Sequence, residues 1–309
     1  MNKRFLLSCF AASLWGQVAF DVKGDRVVIQ VDKRLFATLY QGKEAHKPFL
    51  HPLLTPSGKA VTRGFPVDPQ PGDPTDHPHQ RGLWVGAEKL SGMDFWENDP
   101  SYKRPQMGRI EWQELTAAVD GDRKGTLSFV ANWISEEGSV VVVERRRMIF
   151  YSEPANCRMF DVELELEARR RIVFEDQDDA LIGMRLNPSF DQRRGGRLVN
   201  AEGLAGEEGV RGQRSAWIDW TADLDGEKIG VAVFDHPANF NHPTRWHVRS
   251  FGFLDANPFA QRAFDKAAPD GSHPLEKGEK LRMRYRILIH PAGADLKQFY
   301  KEFEKEQAQ

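Results

Sequence analysis

Residues 159–167 read MFDVELELE, and apolar and polar side chains alternate from Phe160 to Leu166. A period of two places the apolar side chains on one face of an extended strand and the carboxylates on the other face. A strand with one dry face and one wet face is typical of an antiparallel sheet that covers a core. This stretch therefore predicts an antiparallel sheet that is packed on one side only.

Short runs of β-branched and aromatic residues continue the pattern on both sides of this stretch. They occupy residues 26–32, 35–40, 126–134, 139–151, 172–175, 181–186, 229–234 and 282–289. Turn-forming residues such as Asp225-Gly226 separate them. No internal repeat or low-complexity linker divides the chain. The sequence predicts an all-β fold, a single large antiparallel β-sandwich.

The C-terminal segment is the exception, because its periodicity is helical. Leu296, Phe299, Tyr300 and Phe303 form an apolar stripe, and Asp295 precedes them as a capping residue. An amphipathic helix with such a stripe packs against a larger apolar surface. The sequence therefore predicts a C-terminal helix that lies on the sandwich.

The composition excludes some classes of partner. The 309 residues carry a net charge of −2, with 40% hydrophobic and 28% charged residues, as in ordinary globular proteins. A chain with so little net charge predicts no nucleic-acid partner. No apolar segment reaches the ~20 residues that a membrane-spanning helix needs, so integral membrane association is not expected.

The N-terminus has the pattern of an export signal. A short basic region at residues 2–4 precedes the apolar run FLLSCFAASLW at residues 5–15, and small residues follow at Gly16 and Ala19. This pattern predicts a signal peptide over residues 1–19 and a single β-sandwich domain over residues 20–309. The expected location is periplasmic or extracellular. Removal of the signal leaves Cys157 without a cysteine partner, so no internal disulfide is expected.

Two short regions concentrate the histidines. TDHPHQRGLWVG, residues 75–86, contains His77, His79 and Arg81, and FDHPANFNHPTRWHVRSFG, residues 234–252, contains His236, His242 and His247. Both regions contain the tripeptide Asp-His-Pro, in which proline restricts the preceding histidine. Histidine titrates near neutral pH and suits proton transfer. The candidate catalytic residues are His77, His79, Arg81, His236 and His247, and the repeated tripeptide suggests that the two regions share one cleft.

Aromatic and amide side chains surround these motifs. The apolar face of a sugar stacks on an aromatic ring, while its hydroxyl groups form directional hydrogen bonds. Arginine binds carboxylates through forked hydrogen bonds, which suits an acidic sugar. Core packing is the competing interpretation for the rings. The candidate substrate-binding residues are Trp84, Asp94, Trp96, Asn239, Arg249 and Asn257.

His77 and His79 also form a His-x-His pair. On an extended strand both rings face the same side and can bind one ion. A third ligand is required, and His236, His242, His247, Glu88 or Asp94 could supply it. No cofactor is expected, and a divalent metal remains an alternative.

Several motifs resemble a bacterial family known as PmoA-like, or methane oxygenase PmoA. They are KPFLHPLLTPSG (47–58), TDHPHQRGLWVG (75–86), GMDFW (92–96), FDHPANFNHPTRWHVRSFGFLDANPF (234–259) and RYRILIH (284–290). The resemblance implies a galactose-mutarotase-like supersandwich, a fold that hosts mutarotases, lyases and glycosidases. Methane oxidation is not carried over, because the chain has no membrane-spanning segment. The family motif His-Pro-His-His-Arg-Gly has Gln80 in place of its third histidine here.

Three hypotheses for the function follow. The first is a secreted enzyme that acts on a saccharide or a sugar derivative by His/Arg acid–base chemistry, through hydrolysis, elimination or epimerisation. The second is a non-catalytic carbohydrate-binding protein, and the third is a metal-dependent enzyme that uses the His-x-His motif. Each has a small molecule or an oligosaccharide as its partner.

Overall fold

The computed structural model describes residues 16–306, and most of its regular structure is β-strand. The strands, numbered in chain order, are β1 Gln17–Lys23, β2 Arg26–Val31, β3 Arg34–Tyr40, β4 Phe49–Leu53, β5 Leu83–Ala87, β6 Arg109–Val119, β7 Gly121–Asp122, β8 Lys124–Ile134, β9 Val140–Tyr151, β10 Arg158–Ala168, β11 Ile172–Phe174, β12 Ala180–Arg185, β13 Arg197–Asn200, β14 Trp217–Leu224, β15 Glu227–Asp235, β16 Arg245–Arg249, β17 Phe253–Asn257, β18 His273–Leu275 and β19 Lys280–Pro291. The helices are α1 Gly206–Val210 and α2 Leu296–Phe303, with short 3-10 turns at Lys43–Ala45, Pro188–Phe190 and Gln192–Arg194.

The strands form two large sheets. One has nine strands in the order β16-β17-β12-β5-β4-β3-β2-β1-β7, and the other has eight in the order β13-β14-β15-β19-β10-β9-β8-β6. A small third sheet pairs β11 with β18. Between these strands every pairing is antiparallel, as the alternating pattern predicts.

The core lies between the two large sheets. Val162 and Leu164 of β10 are buried in it together with Val85 of β5 and Ile182 of β12. Glu163, which alternates with them, forms an ion pair with Arg147 instead. The prediction of a large antiparallel sandwich is therefore confirmed.

Helix α2 packs on the outer face of the eight-stranded sheet. The Asp295 carboxylate accepts a hydrogen bond from the backbone N–H of Gln298 at 3.1 Å and caps the helix. Phe303 is fully buried against a cluster that includes Phe234 and Trp217. The predicted C-terminal helix and its cap are confirmed. Among residues 16–306, no helix has the length and apolar character needed to cross a membrane.

The predicted export signal falls mostly on residues 1–15, which lie outside the described residues. Its proposed end, after Ala19, lies inside β1. Val18 of that strand is fully buried in the core. An intact β1 therefore requires the chain from Gln17 onward.

Candidate functional site

One row of directly opposed residues crosses the outer face of the nine-stranded sheet. His247 of β16 lies opposite Asp255 of β17, which lies opposite Gly183 of β12. Gly183 in turn lies opposite Trp84 of β5, which lies opposite Phe49 of β4. Directly opposed residues project from the same side of a sheet. The residues that alternate with this row belong to the sandwich core, namely Trp246, Ala256, Ile182 and Val85, so the row faces away from that core.

Gly183 makes room for two tryptophans on this face. A β-carbon at Gly183 would lie 2.6 Å from a ring atom of Trp96 and 2.7 Å from a ring atom of Trp84. The two tryptophan rings meet edge to face at 5.1 Å, and both are fully buried. Both were predicted to bind substrate, but the structure buries them in an apolar cluster with Phe49 and Phe253, beneath the exposed surface of this face.

Two buried arginines fix the loop at residues 75–82. Arg63 donates to the backbone carbonyls of Asp76, His77 and Gln80 at 2.9, 3.0 and 3.2 Å. Arg185 donates to the side-chain oxygen of Gln80 at 2.6 Å. Gln80, which replaces the third histidine of the family motif, therefore anchors the loop through a buried hydrogen bond to Arg185.

His77 and Asp76 form a dyad on this loop. Nδ1 of His77 lies 3.0 Å from one oxygen of Asp76, and the other oxygen contacts Arg63 at 2.5 Å and Arg185 at 3.0 Å. Burial acts to raise the pKa of Asp76, but the hydrogen bond from His77 and the charges of Arg185 and Arg63 outweigh it and lower that pKa well below its usual value. The ionised Asp76 thereby orients the imidazole.

The position of His77 is unusual for its backbone and for its exposure. Its φ is 45°, in the left-handed region that costs energy for residues other than glycine. Its side chain remains 42% exposed, and the ring stacks near Phe251 at 6.0 Å between centroids. Because Nδ1 faces Asp76, Nε2 lies on the far side of the ring.

His79 differs from His77, because it is buried. Nδ1 of its ring shares a hydrogen bond with the Tyr102 hydroxyl at 3.2 Å, and the two histidine rings meet edge on at 5.6 Å. Burial, together with the nearby positive charge of Lys47, lowers the pKa of His79 to about 2. His79 is therefore neutral at physiological pH and supports the ring of its neighbour.

Two further cations lie beneath this end of the face. Arg81 donates to Asp99 at 2.6 Å. Lys47, fully buried, donates to Asn98 at 2.7 Å and to the backbone carbonyl of Trp96. Burial lowers the pKa of Lys47 to about 7. Arg81 is thus paired with a carboxylate, whereas Lys47 is bonded to two neutral oxygen atoms.

A second polar cluster lies at the other end of the row. Nδ1 of His247 lies 2.9 Å from Asp179 and 3.5 Å from Asp255. Burial opposes the charged form of His247, but these two carboxylates outweigh it and raise its pKa to about 10. Burial also raises the pKa of Asp255 well above its usual value. Burial and the adjacent carboxylates of Asp179 and Asp178 raise the pKa of Glu88 to about 7.

Aromatic rings connect the two ends of the site. The Phe251 ring, which lies 6.0 Å from His77, is 6.5 Å from that of Phe253. Phe253 in turn lies 5.2 Å from His247, and Phe264 contacts the other side of that histidine at 5.7 Å. The predicted residues His77, His79, Arg81 and His247 thus lie along one face.

The second Asp-His-Pro tripeptide lies elsewhere. His236 packs against Phe303 of α2 at 5.0 Å and bonds to the Glu306 carbonyl at 3.1 Å. Asn239 donates to Asp235 and to the Arg284 carbonyl, both at 2.7 Å. These contacts place His236 and Asn239 with α2, on the outer face of the opposite sheet. The two tripeptides therefore do not form one cleft, because they face away from each other across the sandwich.

Three other predicted residues have local partners. Asp94 accepts hydrogen bonds from the backbone of Trp96 and Glu97. Asn257 is buried, and its side chain accepts from the backbone of Phe259 and Ala260. These contacts shape loops. Arg249 is different, since it is 47% exposed, pairs with Glu207 at 3.1 Å and lies 5.8 Å from the Phe251 ring, at the rim of the face.

Sequence reasoning missed Tyr102, Asp179 and Asp255. Tyr102 stands in a loop without a motif, and its contact with His79 spans 23 positions. Asp255 lies between the buried apolar residues Leu254 and Ala256 of β17. This alternation is the local signal that its side chain faces away from the sandwich core. Among residues 16–306, the groups of three side chains that could hold a metal are Asp179 with His247 and Asp255, and Glu88 with Asp178 and Asp179. Neither group includes the His-x-His pair.

Comparisons with known proteins identify the family but no activity. The sequence matches no curated protein. Among solved structures it is similar to a candidate aldose 1-epimerase from Escherichia coli K12, with 11% identity, a TM-score of 0.38, and coverage of 89% of this chain and 100% of that chain. A family model matches residues 26–304, and it does not carry the PmoA label. The chain therefore belongs to DUF6807, a family of unknown function.

Proposed function

We propose that this protein is an enzyme that transfers a proton to or from a sugar or a sugar derivative at the outer face of the nine-stranded sheet. The His77–Asp76 dyad is the observation that carries the proposal. Its imidazole is half exposed, and its carboxylate is held by buried arginines. An Asp–His pair of this geometry fixes the tautomer and stabilises the imidazolium that forms on proton transfer.

The proton step assigns one role to each group. Nε2 of His77 takes a proton from a carbon or a hydroxyl of the substrate, while the Nδ1 proton stays bonded to Asp76. The neutral ring of His79 is hydrogen-bonded to the Tyr102 hydroxyl, and it packs edge on against the ring of His77. The same histidine can return the proton to the substrate. Elimination, epimerisation and hydrolysis each contain such a step.

The surroundings support a saccharide as the substrate class. Phe251 and Tyr102 are partly exposed rings beside the two histidines, and a sugar ring stacks on such surfaces. An open polar cavity of about 1210 Å³ lies beyond Phe264, which contacts His247; neither His77 nor His247 lines it, and its wall includes Arg211 and Arg245 as well as Glu207 and Glu208. A cavity of this size holds more than a monosaccharide. Arginines in its wall favour hydroxyl or carboxylate groups.

A substrate panel with matched variants tests the proposal. Aldoses, keto-sugars, uronates and oligosaccharides are incubated with the wild type, and products and proton exchange in D₂O are followed by NMR. His77→Asn keeps a donor for Asp76 and tolerates the left-handed backbone, but it lacks Nε2. We expect its turnover to fall by at least about 100-fold, the usual contribution of a general acid or base.

His46→Asn is the control, because His46 is also a partly buried histidine with a positive φ, of 56°. We expect it to keep wild-type turnover. Equal turnover by His77→Asn and the wild type would remove His77 from the reaction. Binding of a saccharide by the wild type without any product would instead identify a non-catalytic carbohydrate-binding protein.

The export signal over residues 1–19 also remains a proposal. It is supported by the basic, apolar and small-residue order of the N-terminus. Expression of the full chain followed by cell fractionation and N-terminal sequencing tests it. Because β1 begins at Gln17, we expect a processed chain outside the cytoplasm that was cleaved before Gln17 and not after Ala19, the end that the sequence pattern predicts. An unprocessed chain in the cytoplasm would contradict it.

A further inference from the structure

We infer that Asp179, His247 and Asp255, with Glu88 and Asp178 beside them, form a binding site for a divalent first-row transition-metal ion. One ligand atom from each of the first three residues lies within 4.8 Å of the others, and the same holds for Glu88, Asp178 and Asp179. Asp179 belongs to both groups. An ion in the first group would meet two carboxylates and one imidazole, and the second group places two further carboxylates next to Asp179.

The strongest support comes from buried polar atoms that have no hydrogen-bond partner. Asp255 is 0% exposed, and among the described residues neither of its carboxylate oxygens has a hydrogen-bond partner. Nε2 of His247 also has no hydrogen-bond partner among the described residues, and this histidine is 5% exposed. A buried carboxylate that has an ion pair at 3.5 Å with His247 Nδ1 but no hydrogen bond is costly to fold. A bound cation supplies the missing interaction to both side chains.

The fold holds these ligands on rigid elements. His247 and Asp255 lie directly opposite each other on β16 and β17. Asp179 immediately precedes β12, the other neighbour of β17. The backbone N–H of Glu88, which follows β5, bonds to the Asp179 carbonyl at 3.1 Å. Four chain segments therefore converge before any ion binds, as a preorganised metal site requires.

The donor set indicates the class of ion. Ca²⁺ and Mg²⁺ bind through oxygen ligands, whereas an imidazole beside carboxylates suits first-row transition ions such as Mn²⁺ and Zn²⁺. Arg211, 3.3 Å from Asp178, is a nearby positive side chain, and it is 39% exposed. An ion pair between a protonated His247 and Asp179 is the competing arrangement, and it requires no metal.

The inference does not rest on the proposed proton transfer at His77. Phe251 and Phe253 lie between His77 and His247 along the face, and metal binding is measured without any substrate. Failure of one proposal therefore leaves the other intact.

Metal binding by the full chain tests the inference. The purified protein is treated with a chelator, and Mn²⁺, Zn²⁺, Ca²⁺ and Mg²⁺ are titrated separately by calorimetry. The variants are Asp255→Asn and Asp179→Asn. Asp219→Asn is the control, because Asp219 is also a buried aspartate bonded to a histidine, His290, at 3.1 Å, and it belongs to neither metal-holding group.

We expect one Mn²⁺ or Zn²⁺ per chain in the wild type and in Asp219→Asn. We expect Asp255→Asn and Asp179→Asn to raise the Kd for the metal by at least about 100-fold. Loss of an outer-shell partner lowers metal affinity by up to about 100-fold, and these residues would be direct ligands. Thermal melting checks that each variant is folded. If Asp255→Asn is unfolded, the metal affinity of Asp179→Asn alone tests the inference, because Asp179 is less buried than Asp255 and its replacement is less disruptive. Absence of binding by the wild type, unchanged binding by Asp179→Asn, or binding of Ca²⁺ or Mg²⁺ alone would overturn the inference.

Discussion

Nδ1 of His77 lies 3.0 Å from one oxygen of the Asp76 carboxylate. The other oxygen of Asp76 contacts the buried guanidinium groups of Arg63 and Arg185 at 2.5 and 3.0 Å. One carboxylate thus neutralises two buried cations and orients an exposed imidazole. This arrangement links the stability of the loop to the proposed chemistry.

The first prediction concerns the charge of Asp76. Asp76→Asn keeps the shape of the side chain but leaves two buried arginines without their counterion. We expect the free energy of unfolding to fall by about 2 kcal/mol, between the values for a buried and an exposed ion pair, because both arginines are buried but the Asp76 side chain is 41% exposed. Urea unfolding of both proteins measures the difference.

Asp25→Asn is the control for this experiment. Asp25 pairs with Arg26 at 3.0 Å, but both side chains are largely exposed. Exposed pairs contribute at most about 1 kcal/mol. A loss by Asp76→Asn no larger than that of Asp25→Asn would show that Asp76 does not hold the buried arginines.

The second prediction concerns Gly183. Gly183→Ala would bring a β-carbon within 2.7 Å of both buried tryptophan rings, Trp84 and Trp96. Overpacking of this kind costs about 1–3 kcal/mol, and we expect the midpoint of urea unfolding to fall accordingly. Gly209→Ala is the control, since its nearest atoms would lie 3.7 Å away. Equal stability of the two variants would contradict the packing described for Trp84 and Trp96.

The third prediction concerns the Tyr102 hydroxyl. Tyr102→Phe removes its hydrogen bond to the buried ring of His79, which we expect to cost about 1 kcal/mol of stability. Once a substrate is known, we expect turnover to fall less than in His77→Asn, because Tyr102 acts through the support of a neighbouring ring. A larger loss of turnover than in His77→Asn would give the proton-transfer role to Tyr102.

The fourth prediction is a loss of stability in acid. Burial and nearby positive charge, Lys47 above all, lower the pKa of His79 from 6.5 to about 2. Below pH 6.5, His79 is therefore protonated in the unfolded chain but stays neutral in the folded protein. Stability therefore falls as pH decreases from 6.5 towards 2, by at most about 1.4 kcal/mol per pH unit for one proton. His51, whose pKa burial lowers to about 4, adds to the loss above pH 4.

Urea unfolding at pH 7 and pH 5 measures this effect. His79→Gln keeps a hydrogen-bonding group for Tyr102 but does not titrate. We expect the loss of stability between the two pH values to be about 2 kcal/mol smaller in this variant. The same loss in both proteins would show that His79 is not buried as described.

Local patterns predicted much of the fold. The strands around Phe160 and the helix behind Asp295 could be read from the sequence, because side-chain periodicity follows backbone geometry. Strands such as β14 and β17 were not predicted, because aspartates interrupt their apolar residues. Asp255 shows the reason, since its place in the second polar cluster depends on strand partners far away in the sequence.

The sequence by itself determined an antiparallel sandwich, a capped C-terminal helix and the polar loop that holds His77 and His79. The tertiary structure decided which polar residues meet. It brought His247 to Asp255 and Asp179, and it placed His236 with α2 on the outer face of the other sheet. Periodicity is a property of neighbouring residues, whereas the order β16-β17-β12-β5 is set by burial of the whole core. Two identical tripeptides could therefore end on opposite faces.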